Sequence, residues 1–250
     1  MLPFVGTALG ALCVMFTRRG TGTRTIKVIE GFSAGVMIAA SIWSLLIPSI
    51  ELSPREGALS VVPAVVGFVL GMLFFLLCDA VLSRYKAKCP DMGNSGALSG
   101  SMFPIIAVAV HNLPEGMAVG AIYAEVLSAE NEAAVMSAAA ALSVGIAVQN
   151  FPEGAIVSMP LHTMGMGKGK AFLMGILSGI IEPIGAFITI LAAGVAVPLL
   201  PYLLAFAAGA MVFAVFHGSS ENGDDGVGFA WMIAFSLGFS LMMSLDVILG

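Results

Sequence analysis

Long runs without a charged residue dominate the hydropathy pattern of this chain. Runs of roughly membrane-spanning length cover 1–17, 31–50, 57–78, 92–110, 133–152 and 226–245. A helix needs about 20 mainly apolar residues to cross the hydrocarbon core of a bilayer. A further uncharged run, 183–220, is long enough for parts of two spans. The pattern predicts eight membrane helices, at approximately 1–17, 30–50, 60–82, 101–124, 134–161, 170–194, 199–217 and 228–249.

The composition supports a membrane protein rather than a soluble one. Of the 250 residues, 59% are hydrophobic and 10% are charged, whereas a soluble domain carries about 25% charged residues. A soluble fold of these helices would have too little polar surface to cover it. We therefore predict an all-α, polytopic membrane protein in which residues 1–250 form a single transmembrane domain.

Basic residues predict the orientation of the chain. Nine of the ten Lys and Arg residues fall in the connections after the first, third and fifth predicted helices: Arg18, Arg19, Arg24, Lys27, Arg84, Lys86, Lys88, Lys168 and Lys170. In a bundle of eight helices these connections share one face, and the positive-inside rule makes that face cytoplasmic. Both termini are then outside, and the expected location is the plasma membrane, which is the inner membrane in a bacterium.

Four ionisable residues fall near the centres of predicted helices. They are His111 and Glu115 in the fourth helix, Glu153 in the fifth and Glu182 in the sixth. Ionisable side chains at mid-membrane are costly and usually mark a substrate or ion pathway. No Lys or Arg lies at a comparable depth. Protonation or a bound cation must therefore neutralise the glutamates.

Two of these glutamates occur in a repeated motif, "HNLPEG" at 111–116 and "QNFPEG" at 149–154. In each copy the glutamate follows one polar residue by four positions and an asparagine by three, so all three share a helix face. Each carboxylate can therefore serve two adjacent subsites, which predicts two metal ions or one ion with two stations. The candidate ligands are His111, Asn112, Glu115, Gln149, Asn150, Glu153 and Glu182.

A proline accompanies each glutamate, at Pro114, Pro152 and Pro183. Proline kinks a helix and frees a backbone carbonyl, which lipid tolerates only beside a cavity or a partner. The fourth and fifth helices run antiparallel, so the repeated motif predicts an approximate two-fold axis in the membrane plane. Inverted repeats around a midplane site are typical of secondary transporters. The residues alone thus predict a cation carrier with its site between helices four, five and six.

These motifs resemble those of the ZIP (Zrt-/Irt-like protein) family of divalent-metal transporters, in a bacterial form. The matching stretches are "HNLPEGMAVG", "QNFPEGAIVSMPL", "GIIEPIGA" (179–186), "GVMIAASIWSLLIPSIE" (35–51) and "SLGFSLMMSLDVILG" (236–250). The resemblance implies metal uptake toward the cytoplasm, eight helices in a pseudo-two-fold bundle, and movement between two helix groups. It further implies a homodimer.

The resemblance also implies a binuclear site. One metal would bind His111, Glu115, Gln149 and Glu153, and the other Asn112, Glu115, Asn150, Glu153 and Glu182. Gln149 stands where many relatives have histidine, and Gly218 stands where an acidic residue is common. Polar residues at helix ends extend the expected path: Glu51 and Asp246 outside, and Asp79, His217, Glu221 and His162 inside.

Imidazole, amide and carboxylate ligands suit Zn²⁺ first, with Cd²⁺, Fe²⁺, Mn²⁺ and Co²⁺ as further substrates. The expected partners are these ions and the lipid bilayer, with no organic cofactor and no nucleic acid. The alternative is an intramembrane metalloenzyme such as a protease. It would need an open coordination position on the metal and a general base, and Glu115 or Glu153 could be that base.

Overall fold

A computed structural model describes residues 1–18, 23–88, 98–126, 131–220 and 228–249, and these residues form helices joined by short turns, without a β-strand. The α-helices are α1 Leu2–Leu12, α2 Thr23–Ala40, α3 Ile47–Glu51, α4 Val61–Lys88, α5 Leu98–Val126, α6 Glu132–Thr163, α7 Lys168–Gly179, α8 Ile181–Leu191, α9 Ala193–Ser220 and α10 Gly228–Leu249. The 3₁₀ turn Cys13–Met15 extends α1, and the π-helical turn Ser41–Leu46 joins α2 to α3. A second 3₁₀ turn, Gly57–Ser60, precedes α4.

Several of these helices are suited to a bilayer. Within the described residues, six helices are long and apolar enough to cross a membrane: Arg24–Glu51, Gly57–Val81, Glu132–Thr163, Lys168–Leu191, Pro198–His217 and Gly228–Ile248. The apolar helix Leu2–Met15 is shorter, and α5 has 29 residues. The prediction of an all-helical, polytopic membrane protein is confirmed at this level.

The helices extend beyond the apolar runs that predicted them. α2 begins at Thr23 rather than near 30, and α4 continues to Lys88 rather than ending near 82. Arg24, Lys27 and Arg84 therefore lie on helices, and their predicted position in connections was wrong. Hydropathy marks only the part of a helix that lies in hydrocarbon, so it misses the turns that continue past it.

Glycines allow close packing in two helix pairs, α1 with α6 and α5 with α8. A Cβ at Gly6 or Gly10 of α1 would collide with backbone carbonyls of α6, and one at Gly116 or Gly120 of α5 would collide with those of α8. In lipid, close packing of small residues is a main source of helix association. Together α1, α5, α6, α7 and α8 form the first helix group, which carries the glutamates.

Close glycine contacts of the same kind join α2 to α10 and α4 to α9. A Cβ at Gly35 would collide with the carbonyl of Phe235, and one at Gly71 would collide with that of Phe206. These helices form the second helix group. Between the groups lies a buried apolar cluster of Met37, Leu45, Ala118, Ala121, Leu200, Leu204, Ala207, Ala208 and Met211. The groups thus meet through side chains rather than through glycine contacts between backbones.

Replacing Gly35 with alanine should destabilise the second helix group. The added methyl has no space against the Phe235 carbonyl, and overpacking of this kind costs about 1–3 kcal/mol. We expect a lower melting temperature of the purified protein in detergent. Gly169→Ala is the control, because a Cβ there meets nothing within 4 Å. Equal melting temperatures for the two variants would contradict the proposed packing.

Candidate metal site

Three buried glutamates lie close together inside the first helix group. Glu115 of α5 is 0% exposed, Glu182 of α8 is 2% exposed and Glu153 of α6 is 3% exposed. Glu115 interacts electrostatically with both other carboxylates, and Glu182 interacts with Glu153. Carboxylates in apolar surroundings repel one another when ionised. Such a cluster needs protons or a cation to be stable.

The chain breaks its helix beside Glu182. α7 ends at Gly179 and α8 begins at Ile181, so Glu182 lies in the first turn of α8. The positive end of the helix dipole favours a carboxylate there. By contrast, α5 and α6 run without interruption through Pro114 and Pro152. Of the three proline positions, only the one at Pro183 lies beside an interruption, which is the single residue Ile180 between α7 and α8. Broken helices form midplane sites in transporters.

Two side-chain amides each donate to one oxygen of a glutamate. Gln149 Nε2 donates to Glu115 Oε1 at 2.8 Å, which links α6 to α5. Asn112 Nδ2 donates to Glu182 Oε1 at 3.0 Å, which links α5 to α8, and lies 3.4 Å from the Ser178 carbonyl oxygen. Only the NH₂ end of an amide can donate to a carboxylate. These bonds therefore fix which way each amide points.

The remaining oxygens of these groups are left for a ligand. No hydrogen-bond partner among the described residues reaches Asn112 Oδ1, Glu115 Oε2, Gln149 Oε1 or Glu182 Oε2. Asn150, also 0% exposed, lies beside Glu182, but its side chain makes no hydrogen bond of ordinary length to the described residues. Buried oxygens without partners are costly. Oxygen donors of this kind fit a divalent cation.

The described ligands do not form one closed cluster of ionisable groups. No three His, Cys, Asp or Glu side chains in the described part are placed to hold a single metal ion. The side chain of His111 lies outside that part. What the structure brings together are two linked pairs, Glu115 with Gln149 and Asn112 with Glu182. Amide oxygens must therefore supply part of any coordination shell formed by these residues.

Two further residues, which the sequence pattern did not indicate, touch the site. Thr7 of α1 donates its hydroxyl to Glu182 Oε1 at 3.0 Å. The Met211 sulfur of α9 lies 3.6 Å from Gln149 Nε2, and Met211 and Thr7 are both 0% exposed. For Thr7, the only signal in the sequence was a weak one, a lone threonine in an apolar helix. The second was one methionine among sixteen, so nothing singled it out.

On the face predicted to be outside, Asp246 of α10 pairs with the π-helical turn after α2. Its Oδ1 accepts a hydrogen bond from Ser44 Oγ at 2.5 Å, and its Oδ2 has no partner among the described residues. Glu51, expected to meet Asp246, is exposed at the end of α3. The observed hydrogen-bond partner of Asp246 is thus Ser44 of the π-helical turn. π-helical turns often occur at functional sites.

On the face predicted to be cytoplasmic, two of the predicted residues, Asp79 and His217, lie together. His217 Nε2 is 3.5 Å from Asp79 Oδ1, which joins α9 to α4. His162 was also predicted to lie on the inner part of the path. It lies in the last turn of α6, is 3% exposed and donates from Nδ1 to the Met166 carbonyl at 2.8 Å. The helix continues past the apolar run and buries the ring. Glu221 lies outside the described residues.

Comparison with known proteins identifies relatives along the whole chain. The family model described as ZIP Zinc transporter matches residues 93–246. The chain is 32% identical to human "Zinc transporter ZIP11", over 98% of this chain and 94% of the relative. It is 30% identical to "Zinc transporter GufA" of Myxococcus xanthus, over 100% and 97%. It is 33% identical to "Zinc transporter ZIPB" of Bordetella bronchiseptica, over 99% and 79%. These names do not support the metalloenzyme alternative.

Zinc should stabilise the protein against heat, and Glu115→Gln should remove that effect. A ligand at 100 times its Kd adds about 2.7 kcal/mol of stability if it binds only the folded state. The substitution keeps the shape of the side chain but replaces one carboxylate oxygen with NH₂. Melting temperatures in detergent, with and without ZnCl₂, test this. Glu132→Gln, at an exposed position, should retain the full zinc effect, and an unchanged effect in Glu115→Gln would exclude Glu115 as a ligand.

Proposed function

This chain belongs to the ZIP zinc transporter family, and we propose that it takes up Zn²⁺ toward the cytoplasm through the buried site between α5, α6 and α8. One observation carries the proposal. Four groups from three helix segments, Asn112, Glu115, Gln149 and Glu182, each have one buried oxygen without a partner among the described residues, while the protein holds the other oxygen or the nitrogen of all four. The chain has no Lys or Arg between Lys88 and Lys168 or after Lys170. A cation is therefore the natural neutralising partner.

The proposed ligands are those expected from the sequence. The first subsite consists of His111, Glu115, Gln149 and Glu153, and the second consists of Asn112, Glu115, Asn150, Glu153 and Glu182. Glu115 and Glu153 belong to both, so their carboxylates bridge two ions or pass one ion between two stations. The hydrogen bonds of Gln149 to Glu115 and of Asn112 to Glu182 support this division. Each bond lies within one of the two subsites. Cd²⁺, Fe²⁺, Mn²⁺ and Co²⁺ are further proposed substrates.

We propose eight spans: α1, α2 with α3, α4, α5, α6, α7 with α8, α9 and α10. The basic residues near the cytoplasmic ends support a topology with both termini outside, in a plasma membrane and as one domain. A homodimer is part of the same proposal. The metal then enters from the face that carries Asp246 and leaves toward the face that carries Asp79 and His217.

The helix pairing supports an inverted repeat. Exchanging the first span with the sixth, the second with the seventh, the third with the eighth, and the fourth with the fifth maps the observed pairs onto one another. The pair α1 and α6 becomes α8 and α5, and the pair α2 and α10 becomes α9 and α4. In all four pairs, glycines let the two helices pack closely. The proposed transport movement shifts the first helix group against the second across their apolar interface.

The proposal predicts saturable ⁶⁵Zn²⁺ uptake into proteoliposomes that contain the purified protein. His111→Ala and Glu153→Ala should each reduce uptake by at least tenfold, because each removes a proposed ligand. Glu132→Gln is the control, since it changes an exposed carboxylate at the start of α6. Circular dichroism and gel filtration establish that the variants fold.

The outcomes separate the parts of the proposal. Absence of uptake by the wild type for Zn²⁺ and for the other four metals would reject the transporter. Wild-type rates in both ligand variants would reject the central site while leaving transport intact. Uptake that does not saturate with zinc concentration would argue for a channel-like pathway instead of a carrier.

Asp246→Asn should weaken capture of zinc from the outer side. The substitution removes a charge that faces Ser44 but leaves the central ligands untouched. We expect KM for zinc uptake to rise several-fold with little change in kcat. Ser44→Ala, which removes the neighbouring hydroxyl and no charge, should have a smaller effect. An equal change in kcat and an unchanged KM would place Asp246 outside the entry path.

A further inference from the structure

Thr7 connects the metal site to α1, a helix that carries none of the proposed ligands. Its Oγ1 lies 3.0 Å from Glu182 Oε1, and both side chains are buried. Asn112 Nδ2 reaches the same oxygen at 3.0 Å. Glu182 Oε1 thus accepts two hydrogen bonds, while Oε2 has no partner among the described residues. The two oxygens of one carboxylate are placed in different roles.

Thr7, like Ser44 and Ser49, directs its hydroxyl away from its own helix. Serine and threonine in helices commonly bond a backbone carbonyl three or four residues earlier. Thr17, Thr163, Ser41, Ser158, Ser178, Ser236 and Ser244 all do so. Thr7 instead gives its one proton to a carboxylate that is distant in sequence. Since a hydroxyl has a single proton to donate, Thr7 forgoes the local bond in favour of the site.

Tight packing fixes Thr7 in this position. A Cβ at Gly154 of α6 would collide with the Thr7 carbonyl, and one at Gly179 of α7 would lie 2.9 Å from Thr7 Cβ and 3.0 Å from its Oγ1. Two glycines from two helices therefore leave space for this one residue. The contact with Gly179 is also where α7 ends, shortly before Glu182. Thr7 therefore packs directly against the end of α7, beside the helix break.

We propose that Thr7 is a positioning residue that restricts Glu182 to binding the metal through Oε2 alone. This rests on the proposed function, in which Glu182 is a ligand of the transported ion. A carboxylate with both oxygens available can bind bidentately, which suits ions of higher coordination number. Zn²⁺ is satisfied by four ligands, whereas Mn²⁺ favours six oxygen ligands. By occupying Oε1, Thr7 favours Zn²⁺ over Mn²⁺.

The test compares Thr7→Val, which has nearly the same shape but no hydroxyl, with Thr7→Ser, which keeps the hydroxyl. Thr17→Val is the matched control, because Thr17 is also buried, lies just after the 3₁₀ turn that extends α1, and bonds the Cys13 carbonyl. Zn²⁺ and Mn²⁺ binding to the purified protein are measured by calorimetry, and uptake gives KM and kcat. Thr7→Ala replaces Thr7→Val if the valine variant does not fold.

We expect Thr7→Val to weaken Zn²⁺ binding by about 10–100-fold, the usual loss when a residue that orients a ligand is removed. The ratio of Zn²⁺ to Mn²⁺ affinity should fall at least tenfold. The KM for Zn²⁺ should rise, and Thr7→Ser should restore wild-type values. A structural role alone would lower the melting temperature and leave the affinity ratio unchanged.

Three results would overturn the inference: an unchanged affinity ratio in folded Thr7→Val, failure of Thr7→Ser to restore it, or an equal change in Thr17→Val. The proposed function fails separately, if wild-type protein binds Zn²⁺ but does not transport it. Calorimetry then still decides the role of Thr7. If the wild type does not bind Zn²⁺ at all, both the central site and the role of Thr7 are rejected.

Discussion

Three carboxylates lie close together, buried in helices α5, α6 and α8, whose sequences contain no lysine or arginine. Glu115, Glu153 and Glu182 are each at most 3% exposed, and the chain between Lys88 and Lys168 contains no basic residue except histidine. Carboxylates that are buried together repel one another when ionised, which costs free energy. The surrounding structure limits this cost by using amides and a hydroxyl to hold one oxygen of Glu115 and of Glu182. The other oxygen is stabilised only when a cation or a proton arrives.

The packing of the helices follows from the need to bring these groups together. Gly116 lets α8 approach α5 so closely that a Cβ would collide with the carbonyl of Glu182 itself. Gly154 does the same for α1 beside α6, one residue after Glu153. The glycine of each "PEG" motif therefore lets a neighbouring helix pack closely one residue after the glutamate. Site and fold are encoded in the same few residues.

The sequence predicts the central candidate ligands as a set because they share helix faces, and helical spacing is a local property. It also predicted the contact of Asp79 with His217, since both lie at inner helix ends. It missed Thr7 and Met211, whose contacts with Glu182 and Gln149 arise only when separate helices pack. The ends of α2, α4 and α6 were misplaced for a different reason. Apolar runs mark the part of a helix that lies in the bilayer. Backbone hydrogen bonding continues the helix past that part, and His162 lies in such a continuation, in the last turn of α6.

A carrier must release what it binds, and the arrangement of these side chains meets that need. A structural zinc site commonly uses four strong ligands in a closed shell. Here the described part holds no such cluster of ionisable groups, and neutral amide oxygens stand beside the carboxylates. Gln149 also contacts Met211 of the second helix group, so one ligand touches both sides of the interface that we propose moves. A shift between the groups would change the surroundings of Gln149 while leaving the bond between Asn112 and Glu182 within the first group intact. The two subsites would then respond differently to the same movement, and this difference gives a bound ion a direction in which to leave.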